Sequence, residues 1–139
     1  MAVSHLGADA KAYYGTAGST ANTLMSNIKD VTLNLEAGEA DTTTRAGGGW
    51  RSTRPTLLEG TAEFAMQYDP TEGAFSDIKD AFLDKTSIAL RFLHAASGEG
   101  IDADFSIMSF SRPEPLEDVI VVNVTAKINT DDRTPTWEE

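Results

Sequence analysis

The sequence contains no cysteine and only two histidines, His5 and His94, among its 139 residues. The absence of cysteine excludes a disulfide scaffold, a cysteine-ligated zinc site, an iron–sulfur cluster and a thiol nucleophile. Neither histidine has an acid or hydroxyl partner at the spacing of a catalytic motif, so we interpret both as surface or strand-end residues. The chain has no apolar run near the roughly 20 residues of a membrane-spanning helix. Residues 1–7 lack the features of a secretory signal, and we expect no membrane partner.

Basic residues are also scarce in this chain. It has 11 lysines and arginines against 22 aspartates and glutamates, for a formal net charge of −11 at pH 7. A surface with this balance repels phosphate backbones, which argues against nucleic-acid binding by the whole surface. The length and the 40% hydrophobic content are typical of one globular domain with a single core. We therefore predict that residues 1–139 form one domain.

The dominant pattern in the sequence is the alternation of apolar and polar residues, which predicts half-buried β-strands. The predicted strands cover residues 30–36, 61–68, 87–94, 101–108 and 119–128. A further short strand, residues 10–14, lies within a small and polar N-terminal arm, residues 1–22, which we expect to pack loosely. The C-terminal tail, residues 129–139, is polar apart from Trp137.

One helix is predicted, at residues 71–84, with Asp69 as its N-cap and Pro70 near its first turn. Its apolar stripe comprises Phe75, Ile78, Phe82 and Leu83. A single helix cannot supply the crossovers of a doubly wound parallel sheet. We therefore predict a mainly β fold, an antiparallel β-sandwich or barrel with one flanking α-helix.

A segment without a clear apolar period, residues 37–56, separates the first two core strands. Such long segments are usually functional or disordered, although residues 42–45 and 50–53 also suit the strand ends of a long hairpin with a glycine tip. Residue types suited to protein interfaces are concentrated here, namely Arg45, Trp50, Arg51 and Arg54. In an acidic chain, an identical subunit matches these arginines better than nucleic acid does. The alternative is a mobile surface loop.

Acidic residues on polar strand faces are the other candidate site, namely Glu36, Glu63, Asp102 and Asp104. Asp102 and Asp104 share one face of a predicted strand, and such a pair suits a metal ion or acid–base catalysis. Residues 97–102 (SGEGID) resemble one fragment of a calcium-binding nonapeptide repeat, but one copy without a neighbour cannot build that site. The simpler interpretation of the acidic pair is a solvated strand face. We predict no catalytic residue, no metal site and no cofactor, and we expect that the protein is not an enzyme.

Six stretches of the sequence, by their order and spacing along the chain, resemble those of a known protein family. They are KAYYG (residues 11–15), IKDVTLNLEAGEAD (28–41), TTTRAGGGWR (42–51), DIKDAF (77–82), DADFSIMSFSRPEPL (102–116) and VIVVNVTAK (119–127). In these stretches the chain resembles the major tail tube proteins of long-tailed bacteriophages. The stretches are packing and loop patterns rather than a catalytic fingerprint, and they span nearly the whole chain.

The resemblance implies a tail-tube fold, shared with the type VI secretion tube protein. It implies a structural virion protein whose hexameric rings stack into a hollow tube for DNA delivery. Residues 37–56 would contact adjacent subunits and the next ring. The N-terminal arm, with Tyr13 and Tyr14, and the C-terminal tail would do likewise. The further partners would be tail tip or initiator, tape measure and tail terminator proteins, in a virion tail assembled in the host cytoplasm.

The resemblance also suggests a role for the negative charge. Six copies at −11 each carry −66 per ring, and an acidic lumen would repel DNA phosphates, so double-stranded DNA would pass without specific binding. The acids expected to face the lumen are Glu36, Glu63, Asp102 and Asp104.

Two alternatives stay open at this point. One is an inner tube subunit of a contractile tail, a tailocin or a secretion apparatus, which has the same architecture. The other is a monomeric β-sandwich binding module, which would need an exposed aromatic platform, and Trp50 and Trp137 are the two tryptophans available.

Overall fold

A computed structural model of the chain describes residue 4, residues 6–95 and residues 98–138. The strands are β1 (Lys11–Thr16), β2 (Thr23–Leu24), β3 (Ile28–Asp41), β4 (Thr53–Gln67), β5 (Ser87–Leu93), β6 (Gly100–Ser111), β7 (Val121–Asn129) and β8 (Thr136–Glu138). One α-helix, α1 (Gly73–Asp84), lies between β4 and β5, and short 3-10 turns occupy Gly7–Asp9 and Arg45–Gly47. Within the described ranges, no helix is both long and apolar enough to cross a membrane.

All strand pairs are antiparallel, in the order β2-β1-β5-β6-β7-β4-β3, with β8 added beside β6. Strands β6 and β7 lie between β5 and β4 in this order. Nevertheless, the rings of Phe64 on β4 and Phe92 on β5 are only 5.9 Å apart. The sheet therefore folds over on itself, and the predicted β-sandwich with one flanking helix is confirmed.

The link between β2 and β3 crosses from one edge of the sheet to the other. Met25 N–H donates to the Ala12 carbonyl on β1 at 2.9 Å, and Gln67 N–H on β4 donates to the Asn27 carbonyl at 2.9 Å. The Asn27 side-chain amide returns a hydrogen bond to the Gln67 carbonyl at 2.8 Å. These bonds tie the two edges of the sheet together at one end of the body.

The core lies between the folded halves of the sheet and beneath the helix. The alternation predicted for residues 61–68 and for β7 is confirmed, because Ala62, Phe64 and Met66 on β4 and Val122, Val124 and Ala126 on β7 are buried, as alternating side chains point to opposite faces. The helix buries Ala74, Phe75, Ile78 and Ala81 against it. Phe75 meets the ring of Tyr68 edge-on at 5.1 Å between centroids. Leu83 is 65% exposed, so its predicted place in the apolar stripe is wrong.

The start of the helix differs from the sequence prediction. The helix begins at Gly73, after an N-cap at Glu72 that makes no side-chain capping bond. The Asp69 carboxylate instead accepts hydrogen bonds from the Thr71 N–H at 3.0 Å and from the Thr71 hydroxyl at 2.6 Å. Asp69 therefore stabilises the turn before the helix, a local bonding pattern that competes with capping, and these bonds lower its pKa.

Both termini pack more tightly than the sequence suggests. Strand β1 lies between β2 and β5, and the side chains of Ala12, Ala21 and Met25 are almost completely buried. Within the described part of the N-terminal arm, the predicted short strand is present and Ala12 and Ala21 pack tightly, whereas residues 6–10 and 18–20 are exposed. The C-terminal tail also folds back, because β8 occupies the edge of β6 beyond the last residue of β7.

Candidate assembly surfaces

The largest exposed feature is the far part of the β3–β4 hairpin, residues 36–59, which we call the hairpin extension. Every residue in it is exposed except Ala40, which is half-buried. The long loop predicted at residues 37–56 is therefore wrong in part, because Asp41 and Thr53 are still paired strand residues and only residues 42–52 form a loop. The alternative of a long hairpin describes this region better. The extension leaves the body at Gly60, which is buried.

The end of the extension is an ordered turn, residues 42–52, which we call the tip loop. Thr42 N–H donates to the Ser52 carbonyl at 2.9 Å, and Ser52 N–H donates to the Thr43 hydroxyl at 2.8 Å. Gly48 and Gly49 have φ angles of 67° and 91°, in the left-handed region that suits glycine. The glycines thus allow the chain to reverse in a compact turn.

The four interface residues predicted from the sequence lie together at this end. Arg45, Trp50 and Arg51 are in the tip loop, and Arg54 follows on β4. All four are exposed, and Trp50 is 81% exposed. A tryptophan this open, beside three guanidinium groups, is chemically suited to contact with an acidic protein surface.

Sequence reasoning missed two leucines in the extension. Leu57 and Leu58 are both 82% exposed, and they lie at an irregularity in the β3–β4 register, between the pairs Ala37–Leu58 and Glu39–Pro55. A two-stranded ribbon without a core is at best marginally stable. The only sequence signal was a pair of leucines in an otherwise polar segment.

Glu36 and Glu63 lie on the exposed side of the β3–β4 pair. Glu36 is directly opposite Glu59, and Glu63 is opposite Thr32 and Thr125. Like charges in directly opposite positions repel each other and weaken a sheet. The facing pair Glu36–Glu59 therefore places a local excess of negative charge where the extension joins the body.

Asp102 and Asp104 occupy a different environment from the one predicted. Their side chains are 5% and 1% exposed, respectively. Arg133 donates from Nε to Asp104 at 2.8 Å and from Nη2 to Asp102 at 2.9 Å, and Gly18 N–H donates to Asp104 at 2.8 Å. The interpretation of a solvated, lumen-facing strand face is wrong for these two acids, because the C-terminal tail covers them.

The same ion pairs affect Arg133. Burial would by itself lower its pKa, but the hydrogen bonds and negative charges of Asp102 and Asp104 outweigh burial and raise the pKa above the usual arginine value. Further along the tail, Arg91 donates two hydrogen bonds to the Glu138 carboxylate, at 3.0 and 3.2 Å. Trp137 donates from its indole N–H to Glu99. The tail is thus held by charge-assisted bonds along its length.

The two tyrosines of the N-terminal arm pack within their own chain. The Arg91 guanidinium lies over the Tyr13 ring, 4.4 Å from its centroid. Tyr14 packs against the core, and burial, followed by the negative charges of Asp77 and Glu72, raises its pKa. Tyr14 is therefore half-buried at the margin of the core, and its interface role stays a prediction.

Comparison with protein-family models and with curated proteins finds no match for this sequence. Solved structures do match it. A chain from the tail of an empty gene transfer agent particle, refined with helical C6 symmetry, superposes with a TM-score of 0.81 over 98% of this chain and 100% of its own, at 13% identity. The SPP1 tail tube matches with a TM-score of 0.75 over 97% of this chain and 79% of its own, at 10% identity. This chain has the tail-tube fold.

The tail-tube fold also extends to a contractile system. A chain of the sheath–tube complex of an extracellular contractile injection system matches with a TM-score of 0.59, over 93% of this chain and 87% of its own, at 10% identity. The fold expected from the resemblance is therefore confirmed over the 93–98% of the chain that these structures match.

The remaining candidates for catalysis or metal binding are the histidines and clusters of acidic side chains. His94 accepts a hydrogen bond at Nδ1 from the Glu99 N–H at 2.9 Å, at a turn after β5, whereas His5 lies outside the described residues. Across residues 6–95 and 98–138, no group of three or more acidic or histidine side chains is arranged to hold a metal ion.

Proposed function

We propose that this chain is a structural, non-enzymatic subunit that assembles into stacked hexameric rings, and that these rings form a tail tube through which DNA is delivered. The observation that carries the proposal is the hairpin extension, a long exposed ribbon with open leucines on a fold found in tail tubes. Such a ribbon requires a partner to bury its apolar side chains. A second subunit supplies that partner.

The open edge of the sheet favours lateral contacts between subunits within a ring. In the described sheet, β3 is an edge strand of 14 residues that pairs only with β4. A long unpaired edge is a template for pairing with another chain. Addition of a neighbouring subunit at this edge would continue the sheet around the ring and would satisfy its free backbone groups.

The charge of the lumen is the second part of the proposal. Glu36 and Glu63 lie on the exposed polar face beside the β3 edge, together with Glu59. If this face lines the channel, each ring presents repeated acidic positions that repel DNA phosphates and limit binding to the wall. The tail tip, tape measure and terminator proteins are the proposed partners, and the virion tail, assembled in the host cytoplasm, is the proposed location.

A tube subunit of a contractile system is the second candidate, supported by the match to the sheath–tube complex. A monomeric binding module is less well supported. Trp50 is on the extension, whereas Trp137 on β8 is bonded to Glu99, so the two tryptophans do not form one aromatic platform.

Negative-stain electron microscopy of the purified protein, concentrated at physiological salt, tests the proposal. We expect hollow tubes or six-fold rings. A protein that stays monomeric, including after addition of tail-tip proteins as initiator, would overturn it. A sheath protein that polymerises around the tubes would distinguish the contractile candidate from the non-contractile one.

A further inference from the structure

The loop between β6 and β7, residues 112–120, combines exposed acids with exposed apolar side chains. Leu116 is 99% exposed and Val119 is 54% exposed. Residues 113–119 contain three acids, Glu114, Glu117 and Asp118, and no basic residue. The one cation of the loop, Arg112, is turned onto the Tyr68 ring, 4.9 Å from its centroid. The loop is therefore a small acidic surface around an uncovered leucine.

The complementary chemistry lies in residues 42–58, the part of the hairpin extension between the acids Asp41 and Glu59. Residues 42–58 contain three arginines and no acid, in a chain whose net charge is −11. Trp50, Leu57 and Leu58 are each more than four-fifths exposed, at 81%, 82% and 82%. This segment is a basic surface around uncovered apolar groups.

The tip loop of the basic surface and the β6–β7 loop lie at opposite ends of the same strand. Strand β4 begins beside the tip loop and ends at Gln67, which pairs with Val121, the first strand residue after the β6–β7 loop. The Tyr68 N–H also donates to the Ile120 carbonyl at 3.0 Å. Fifteen strand residues at about 3.3 Å each separate the ends by roughly 50 Å. The two surfaces therefore cannot meet within one chain.

Different complementary surfaces at opposite ends of a subunit produce a head-to-tail contact, which forms a closed ring if the rotation closes and a continuing stack if it does not. We infer that the basic end of the hairpin extension of one subunit docks on the β6–β7 loop of a second copy in the next ring. Arg51 and Arg54 then face Glu117 and Asp118, and Trp50 covers Leu116. This inference rests on the proposed tube, and it identifies the receiving surface. The exposed acids of α1 are a poorer match because Lys79 and Lys85 lie among them.

Charge reversal on each surface tests the inference. In one variant, Arg51→Glu and Arg54→Glu make the extension acidic, and in the other, Glu117→Arg and Asp118→Arg make the loop basic. We expect each variant alone to form rings that do not stack, and an equal mixture of the two to form tubes of alternating rings. The two variants change the net charge in opposite directions, so a shared defect cannot come from net charge. The matched control, Asp80→Arg with Asp84→Arg on α1, should form tubes.

The readouts are electron microscopy for stacking and circular dichroism with thermal melting for folding. If the wild type forms tubes and the loop variant also forms them alone, or if the mixture of folded variants stays unstacked, the inference is overturned while the proposed function stands. If the wild type forms neither rings nor tubes, both are overturned.

Cross-linking provides a test that does not depend on charge. Because the chain has no cysteine, Trp50→Cys combined with Leu116→Cys places the only thiols at the inferred contact. Oxidation of the assembled double variant should produce a ladder of covalent multimers on a non-reducing gel, whereas each single variant should produce at most dimers. Tubes of the double variant that yield no ladder would overturn the inference.

Discussion

Arg133 Nε donates to Asp104 Oδ1 at 2.8 Å and so fastens the C-terminal tail to the face of the sheet opposite the core. Asp104 also accepts the Gly18 N–H at 2.8 Å. A single buried carboxylate thereby links the loop after β1, strand β6 and the tail. We expect this cluster to dominate the stability of the covered face, since a buried acid without its partner is costly.

Replacement of Arg133 by Ala should destabilise the protein strongly. It would leave Asp102 and Asp104 buried without their cation, and breaking such a pair costs about 3–5 kcal/mol. Urea unfolding measures the difference. Arg91→Ala is the matched control, since its partner Glu138 is 38% exposed and more open pairs contribute only about 0–1 kcal/mol. Equal losses for the two variants would contradict the prediction.

Stability should fall at alkaline pH, in part through Tyr14. Burial, followed by the charges of Asp77 and Glu72, raises the pKa of Tyr14 above its usual 10.0. The folded protein then holds this proton more tightly than the unfolded chain does, so stability is fully present below pH 10 and declines as pH rises through the folded pKa. Between pH 8 and 11.5, the free energy of unfolding should decline less steeply for the Tyr14→Phe variant than for the wild type. Identical slopes of the unfolding free energy against pH for wild type and variant would contradict the prediction.

Replacement of Leu57 and Leu58 by Ser should block assembly while leaving the subunit folded. Both side chains are 82% exposed in the single chain, so the free energy of unfolding should change by less than about 0.5 kcal/mol. Thermal melting and electron microscopy measure the two effects. Leu83→Ser, at a position that is 65% exposed on α1, is the control and should still assemble. Normal tubes from the double variant would show that these leucines are not needed.

Assembly should slow hydrogen exchange in the hairpin extension. In the free subunit the extension has solvent on both faces, and backbone hydrogen bonds in such ribbons open readily. We expect fast exchange at residues 42–52 in the monomer and marked protection in the tube. Amide exchange read by mass spectrometry makes the comparison, with β7 as a protected reference in both states. Rapid exchange in both states would contradict an interface there.

Charge reversal at Glu36 and Glu63 should slow DNA release from assembled particles. Lysine at these positions would attract phosphates, and the added binding would weaken as salt rises. The rate of DNA release at several salt concentrations measures the effect. Asp80→Lys with Asp84→Lys on α1 is the matched control. Unchanged release from particles with lysine at both glutamates would show that these acids do not face the channel.

Much of the fold was predictable from local pattern. The second half of β4 and strand β7 alternate because one face of each meets the core, and α1 shows helical spacing in Phe75 and Ile78. It was also predictable that one end of the hairpin would carry Arg45, Trp50, Arg51 and Arg54, because these residues are close together in the sequence. The roles of Asp102 and Asp104 could not be predicted, because an exposed and a covered polar strand face have the same alternation. Their cation lies 29 to 31 residues away.

The sequence by itself determined the fold class, the positions of most core strands and the helix, and the concentration of arginines in one segment. These depend on residue spacing and on short separations along the chain. Only the tertiary structure decided which surfaces are open. It placed the tail over β6, packed Tyr14 against the core, extended the hairpin as an uncovered ribbon, and set the tip loop and the β6–β7 loop at opposite ends of β4. Exposure depends on contacts between segments distant in sequence, and those contacts exist only after the sheet has folded on itself.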